Sequence, residues 1–290
     1  MATTSEWIQG ARPRTLPAAI APVLVGTGIA QHFDSLNIGR ALLALIVALA
    51  LQAGVNFAND YSDGIRGTDR VRVGPVRLVG QGLAKPHLVK RAAFLMFAIA
   101  MASGFTLVLL TQAWWLLIVG AASVAAAWFY TGGSRPYGYA GFGEFFVFIF
   151  FGIVPVMGTA YVQTLELTWG AFIASVGVGA LACSILITNN LRDIPGDTEH
   201  GKRTLAVRIG DQRTRTLYIF SIISAFVVPA ILVIPFGPGA LLGYAALPWV
   251  FLPITLIRRG ARGPALIPVL KSTGILLLVY GLMLGLGLSF

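Results

Sequence analysis

Long apolar stretches separated by short polar segments make up most of the chain. The apolar residues continue for about 20 positions at a time, the length of a helix that crosses a bilayer. This pattern predicts an all-α polytopic membrane protein with nine transmembrane helices in a single integral-membrane domain, 1–290. The expected spans are 15–31, 39–59, 92–111, 113–131, 143–162, 169–190, 214–235, 239–257 and 268–288. Very short turns join the third to the fourth and the seventh to the eighth, so each pair should form an antiparallel hairpin.

Composition agrees with this pattern. The chain is 57% hydrophobic and 11% charged, whereas soluble domains carry about 25% charged residues. The single cysteine, Cys183, excludes an intramolecular disulfide. The first apolar run follows Arg12 and Arg14, as a signal peptide would, but Pro17 and Pro22 interrupt it. We therefore expect a retained first helix.

The basic residues predict the orientation of the chain. The formal net charge is +10, which on its own would be compatible with a nucleic-acid partner. With the N-terminus in the cytoplasm, however, 20 of the 21 Lys and Arg residues fall in cytoplasmic segments, and Arg40 alone lies on the opposite side. Positive charge concentrates in cytoplasmic loops of membrane proteins. This predicts a multi-pass plasma-membrane protein with a cytoplasmic N-terminus, an extracytoplasmic C-terminus and no nucleic-acid partner.

Two polar patches hold six of the eleven acidic residues. They occupy 56–69 and 189–199, each directly after an apolar span, and they open two long cytoplasmic loops expected at about 60–91 and 191–213. Carboxylates close to a membrane are costly and usually functional. Because the patches follow the second and sixth spans, both should face the cytoplasm, and their similarity hints at an internal duplication.

Helical spacing should bring several oxygen donors of each patch together. In the first patch, Asn56, Asn59, Asp60 and Asp63 are three or four residues apart and share one helix face. In the second patch, Asn189 and Asp193 are also four apart. Pro195 then predicts that the helix ends near Asp193 and that Asp197 opens the loop, because proline removes a helical donor.

The chemistry of the patches favours magnesium. Carboxylate and amide oxygens suit Mg²⁺, which keeps several waters and shares substrate phosphates, whereas zinc or copper would favour His and Cys. Nearby basic residues could neutralise phosphate charge; they are Arg66, Arg77, Arg192, Lys202 and Arg203. One alternative is that the patches merely cap and turn the chain. Another alternative is a transporter. Two observations argue against it: both patches lie at one face of the membrane, and the outer loops are short and nearly uncharged.

The patches resemble the Asp-rich signatures of the UbiA superfamily of intramembrane prenyltransferases. The first matches N-x-x-x-D at Asn59 and Asp63, and the second matches N-x-x-x-D-x-x-x-D from Asn189 to Asp197. The similarity is greater to the branch that prenylates 1,4-dihydroxy-2-naphthoate in menaquinone biosynthesis. It rests on R12-P-R-T-L-P17, N59-D-Y-S-D63 with G67-T-D69, R135-P-Y-G-Y139 with Gly143-Glu144, and N189-N-L-R-D193 with G201-K-R-T-L205. Gly67 stands where many ubiquinone-branch members have an acid, and the next acid is Asp69.

The resemblance implies a reaction and roles for particular residues. A polyprenyl chain passes from polyprenyl diphosphate to dihydroxynaphthoate, with loss of carbon dioxide and diphosphate, giving demethylmenaquinol. Other aromatic acceptors, such as 4-hydroxybenzoate, homogentisate or a porphyrin-type ring, remain alternatives. Two Mg²⁺ ions would be held by Asp60, Asp63, Asp69, Asn189, Asp193 and Asp197, with Asn59, Asp63, Asp193 and Asp197 as catalytic residues. Diphosphate would meet Arg66, Arg77, Lys202, Arg135, Tyr130 and Tyr139; the acceptor would meet Asn56, Arg12 and Arg14. The Phe-rich fifth span would surround the isoprenoid tail, or simply face lipid.

Overall fold

The structure, a computed structural model, describes residues 2–67 and 76–290, and the regular elements in these residues are all helical. The α-helices are α1 (Thr4–Gly10), α2 (Pro17–His32), α3 (Ile38–Arg66), α4 (Pro86–Thr111), α5 (Leu116–Phe129), α6 (Gly143–Phe148), α7 (Val154–Thr164), α8 (Trp169–Glu199), α9 (Leu205–Phe236), α10 (Phe251–Arg258) and α11 (Ile267–Leu288). Short 3₁₀ helices cover Pro13–Thr15, Tyr137–Ala140, Pro238–Val250 and Gly263–Leu266, and a π-helical turn, Ile149–Ile153, joins α6 to α7.

Seven helical segments among the described residues are long and apolar enough to cross a membrane. They are Ile38–Arg66, Pro86–Thr111, Gly143–Thr164, Trp169–Glu199, Leu205–Phe236, Pro238–Arg258 and Gly263–Leu288. Large apolar side chains such as Ile118, Ile234 and Phe251 are exposed on the outside of the bundle, as a lipid-facing surface requires. The chain is therefore a helical, multi-pass membrane protein.

The first and fourth expected spans correspond to shorter helices. α2 has 16 residues and α5 has 14. At 1.5 Å per residue these helices are about 24 and 21 Å long, less than the roughly 30 Å hydrocarbon core. For the fourth span, 113–131, the sequence pattern overestimated the helix length because it counted the residues of the adjoining turns. For the first span, 15–31, the expected length agrees with that of α2 to within one residue.

Close contacts at glycine residues pack α2 and α8 into the bundle. A Cβ added at Gly28 would lie 2.0 Å from the carbonyl oxygen of Gly285, so α2 and α11 touch backbone to backbone. A Cβ at Gly177 of α8 would lie 2.3 Å from the Tyr280 hydroxyl oxygen. α8 is the most buried of the seven long segments. It therefore holds the second acidic patch on a rigid central helix.

The prediction that Pro195 ends the helix near Asp193 is wrong. α8 continues through this proline to Glu199 and ends where His200 donates its backbone N–H to the carbonyl of Gly196 and Gly201 adopts a φ of 70°. Proline removes one helical hydrogen bond and crowds the carbonyl group four residues before it, and here both effects fall within the last turns of α8. Asn189, Asp193 and Asp197 consequently lie on one continuous helix at four-residue spacing.

The prediction of a long loop at 191–213 is also wrong, because most of these residues are helical. Only 200–204 separates α8 from α9, which begins at Leu205 with Thr204 as its N-cap and bends at Gly210, where φ is 81°. The loop after the first patch starts later than expected, since α3 extends to Arg66 before Gly67 ends it in the left-handed region.

Candidate active site

A cavity of about 790 Å³ lies between the helices that carry the two acidic patches. Asn59 and Asp63 line it from α3, and Asn189 and Asp197 line it from α8. Its other walls come from α2, α4, α5 and the α6–α7 segment. The two patches, far apart in sequence, thus face one shared space.

Asp63 contacts residues of two other segments at the acidic end of the cavity. Its carboxylate is buried, accepts a short hydrogen bond from the Tyr139 hydroxyl, and lies 3.5 Å from the ammonium nitrogen of Lys202. Burial, reinforced by the neighbouring Asp63 carboxylate, raises the pKa of Tyr139 above its ordinary value. The phenol therefore stays protonated at neutral pH and acts as a donor.

Tyr139 and the link between α8 and α9 fix the position of Lys202. The ammonium nitrogen lies 4.4 Å from the centre of the Tyr139 ring, a cation–π distance. The backbone N–H of Lys202 donates to the carbonyl of Asp197, and that of Arg203 donates to the carbonyl of Tyr139. The link is therefore fastened at two successive residues, and the lysine points into the cavity.

Arg66, which is expected to bind diphosphate, does not line the cavity. Its guanidinium donates to the carbonyl oxygens of Thr131 and Gly133, and its carbon lies 5.5 Å from the Tyr139 ring centre. Thr131 in turn donates its hydroxyl to the side-chain oxygen of Asn59 over 2.8 Å. Arg66 therefore ties the segment after α5 to the end of α3.

On α8, an arginine pairs with the first acid, Asp193. Arg192 makes a two-pronged ion pair with Asp193, with nitrogen–oxygen distances of 2.7 and 2.8 Å. Arg192 lines the cavity and Asp193 does not, whereas Asp197 is buried and lines it. Of the three carboxylates on this helix, Asp193, Asp197 and Glu199, Asp197 is the one that lines the cavity.

Asp60, an expected metal ligand, binds the backbone that follows α3. It does not line the cavity. Its two oxygens accept hydrogen bonds from the backbone N–H groups of Leu78, at 2.7 Å, and Val79, at 3.2 Å. Asp69, another expected ligand, lies outside the described residues.

The remaining expected substrate contacts divide between the cavity and the surface. Those that line the cavity are Arg12, Asn56, Arg77, Tyr130, Tyr139 and Lys202. Arg14 and Arg135 are exposed and lie outside it. Asn56 donates its side-chain N–H groups to Ala11 and Thr15, which joins α3 to the segment before α2. Of the three residues expected to contact the aromatic acceptor, Arg12 and Asn56 therefore line the cavity and Arg14 does not.

The sequence analysis assigned no role to a half-buried pair at the start of α6. Asn190, which lines the cavity, donates to the carboxylate of Glu144 over 2.9 Å. Gln52 was also missed; it lines the cavity one turn before Asn56 and donates to the Thr15 hydroxyl over 2.8 Å. Both Glu144 and Gln52 are polar residues inside apolar stretches, which is the signal that could have identified them.

Away from the acids, the cavity is apolar. Phe146, Phe150 and Phe151 line it, whereas Phe142 and Phe145 of the same stretch are 55% and 61% exposed on the outer surface. The Phe-rich stretch thus supplies both a cavity wall and a lipid-facing surface.

The donors that face the cavity fit magnesium. Within 2–67 and 76–290, no three His, Cys, Asp or Glu side chains converge as a metal cluster. Mg²⁺, however, is usually held by one or two carboxylates, waters and substrate phosphates. Asp63 and Asp197, with the amide oxygens of Asn59 and Asn189, form a donor set of that kind.

Comparison with known proteins identifies the family. The model of the UbiA prenyltransferase family matches residues 19–267. The chain belongs to the UbiA prenyltransferase family. It is 52% identical over 290 residues to 1,4-dihydroxy-2-naphthoate octaprenyltransferase of Mycobacterium tuberculosis, covering 100% of this chain and 99% of that protein. The corresponding protein of Mycobacterium leprae is 49% identical, covering 97% of this chain and 95% of its own length.

Solved structures share the fold of this UbiA family member. A UbiA homologue from Archaeoglobus fulgidus, bound to GPP and Mg²⁺, superposes with a TM-score of 0.68 at 15% sequence identity, covering 96% of this chain and 99% of that chain. At this identity the likeness concerns the arrangement of helices alone.

Proposed function

We propose that this protein transfers a polyprenyl chain from polyprenyl diphosphate to 1,4-dihydroxy-2-naphthoate, with release of diphosphate and carbon dioxide, to give demethylmenaquinol. The observation that carries the proposal is the shared cavity, which joins two acidic patches at one end to an apolar interior. Such a cavity suits a substrate with a diphosphate head and a hydrocarbon tail. The relatives that match nearly the whole chain favour dihydroxynaphthoate as the acceptor.

Asp63 and Asp197, assisted by Asn59 and Asn189, would hold Mg²⁺ between α3 and α8. Bound there, the ion would supply positive charge that stabilises the departing diphosphate. Lys202, Arg77 and Arg192 add positive charge from the cavity wall, and charge-assisted contacts of this kind bind phosphate oxygens strongly. Asp69 and Asp193 remain candidate ligands, although Asp193 pairs with Arg192 in this structure.

The cavity wall also suits the organic part of the reaction. When the bond between the allylic carbon and the diphosphate oxygen breaks, its electron pair leaves with diphosphate and the carbon becomes cationic. Tyr130 and Tyr139 line the cavity beside Asp63, and aromatic faces stabilise positive charge. The electron-rich ring attacks this carbon, and cleavage of the bond to the carboxylate as carbon dioxide returns an electron pair to the ring. Phe146, Phe150 and Phe151 shield the isoprenoid chain from water.

The proposal places the protein in the plasma membrane with the acidic end of the cavity facing the cytoplasm. The distribution of Lys and Arg supports this orientation, and it favours nine spans within one domain, with α2 and α5 as the short ones. An active site facing the cytoplasm gives the anionic substrate direct access.

The direct test incubates membranes that contain the protein with dihydroxynaphthoate, Mg²⁺ and prenyl diphosphates of several lengths, with mass spectrometry of the products. A prenylated product without the carboxyl group supports the proposal. A product that retains the carboxyl group, or none at all, would refute it. Parallel reactions with 4-hydroxybenzoate and homogentisate decide whether another aromatic acceptor is preferred.

A further inference from the structure

Asp60 is among the most buried acidic side chains in the described part of the protein, with 1% of its surface exposed. It lies on α3 between Asn59 and Asp63, but both of its oxygens are bound to the backbone N–H groups of Leu78 and Val79. A carboxylate that accepts two backbone N–H groups organises the backbone that supplies them.

The segment that Asp60 holds fits closely against α3. The Leu78 side chain is fully buried and packs in a cluster with Phe57, Val89 and Phe97. A Cβ added at Gly64 would lie 2.4 Å from a methyl carbon of Val79. Hydrogen bonds from Asp60 and close packing at Gly64, one helical turn further along α3, therefore hold residues 78–79 against this helix.

Arg77, the residue directly before this pair, is the one that reaches the cavity. Its side chain is 6% exposed and lines the same space as Asp63 and Lys202. Since consecutive Cα atoms are only 3.8 Å apart, fixing the backbone at Leu78 also fixes the point from which the guanidinium extends.

We propose that Asp60 is a positioning residue for diphosphate binding, and not a metal ligand: it fastens residues 78–79 so that Arg77 faces the diphosphate of the prenyl donor. This inference rests on the proposed prenyl transfer. Two neighbouring acids of the first patch then have different roles. Asp63 faces the cavity, and Asp60 holds residues 78–79 in place.

Kinetics distinguish a positioning residue from a metal ligand. In Asp60→Ala the KM for prenyl diphosphate is expected to rise about tenfold, because Arg77 is no longer held in place. The Mg²⁺ concentration for half-maximal activity and the KM for the acceptor should stay at wild-type values. Asp60→Asn, which keeps one acceptor oxygen, should show a smaller rise. A metal ligand would instead shift the Mg²⁺ requirement, and that result would overturn the proposal.

A double-mutant comparison tests the connection to Arg77. Arg77→Gln alone should reproduce the rise in donor KM, and Asp60→Ala combined with Arg77→Gln should add little to it, because both changes remove one interaction. Additive effects would overturn the link between the two residues. Asp34→Asn, at an exposed position away from the cavity, is the matched control and should behave as wild type.

Hydrogen exchange tests the proposal independently of catalysis. In the wild-type protein, the amides of Leu78 and Val79 should exchange slowly, and in Asp60→Asn they should exchange at least about tenfold faster while the amides of α8 keep their protection. Unchanged exchange at both residues would contradict the inference. Inactivity of the wild-type enzyme with every donor and acceptor would instead refute the proposed reaction, so the two failures are distinguishable.

Discussion

The ammonium nitrogen of Lys202 lies 3.5 Å from a carboxylate oxygen of Asp63. Asp63 belongs to the last turn of α3, whereas Lys202 lies in the five-residue link after α8, at 200–204. This pair joins the two acidic regions and places a positive charge beside a carboxylate that faces the cavity. The contact makes Lys202 a candidate for recognising the diphosphate when the donor binds.

Replacing Lys202 should weaken donor binding. Lys202→Ala is expected to raise the KM for prenyl diphosphate by about tenfold or more, since a hydrogen bond to a charged group is worth about 1.5–3 kcal/mol. Steady-state kinetics with varied donor concentration measure the effect. Lys271→Ala, at an exposed lysine outside the cavity, is the control, and an equal rise in both variants would contradict a specific role.

Removing either cavity-facing carboxylate should abolish turnover. Asp63→Ala and Asp197→Ala are each expected to lower kcat by at least about a hundredfold, because charge stabilisation at the departing group is lost. Product formation is followed by mass spectrometry, and size-exclusion chromatography in detergent checks that the variants remain folded. A folded variant with full activity would refute the assignment of that residue.

Tyr139 should contribute to stability in a pH-dependent way. Its pKa is raised in the folded protein, so the folded state holds the phenol proton more tightly than the unfolded state, whose pKa is about 10. The contribution is fully present below pH ~10 and is lost as the pH rises towards the folded-state value. The Tm difference between wild type and Tyr139→Phe should therefore be constant up to pH ~10 and shrink above it. A difference that already shrinks between pH 6 and 8 would contradict this.

The contact between α2 and α11 should tolerate no added atom. Gly28→Ala would bring a methyl group 2.0 Å from the Gly285 carbonyl oxygen and is expected to cost about 1–3 kcal/mol in overpacking. Gly120→Ala, in α5, is the matched control because a Cβ there meets no atom within 4 Å. Thermal unfolding in detergent should show a lower Tm for the first variant alone.

The apolar pattern predicted the helical membrane architecture, and helical spacing with charge topology predicted that the two patches meet. Both predictions rest on the distribution of apolar and charged residues along the whole chain, which is visible in the sequence. The path of α8 through Pro195 was mispredicted, because tertiary packing and the bonds beyond Gly196 outweigh one lost hydrogen bond. The positions of Asp60 and Arg66 depend on which loop carbonyl or amide lies opposite each side chain. Such pairings join residues that are distant in sequence, and spacing alone does not encode them.

The unbroken course of α8 has a consequence for how substrate preference can change. Asp63 lies on α3 and Asp197 lies on α8, and both helices are continuous. The distance between the two carboxylates is therefore set by the way α3 and α8 pack against the same cavity. The apolar wall, by contrast, comes largely from other segments, including α4, α5 and the π-helical turn. We expect substitutions in that wall to alter the accepted hydrocarbon length while the distance between the two carboxylates is preserved. The residues proposed to hold the metal and the residues that surround the hydrocarbon chain thus lie largely on different segments of the fold.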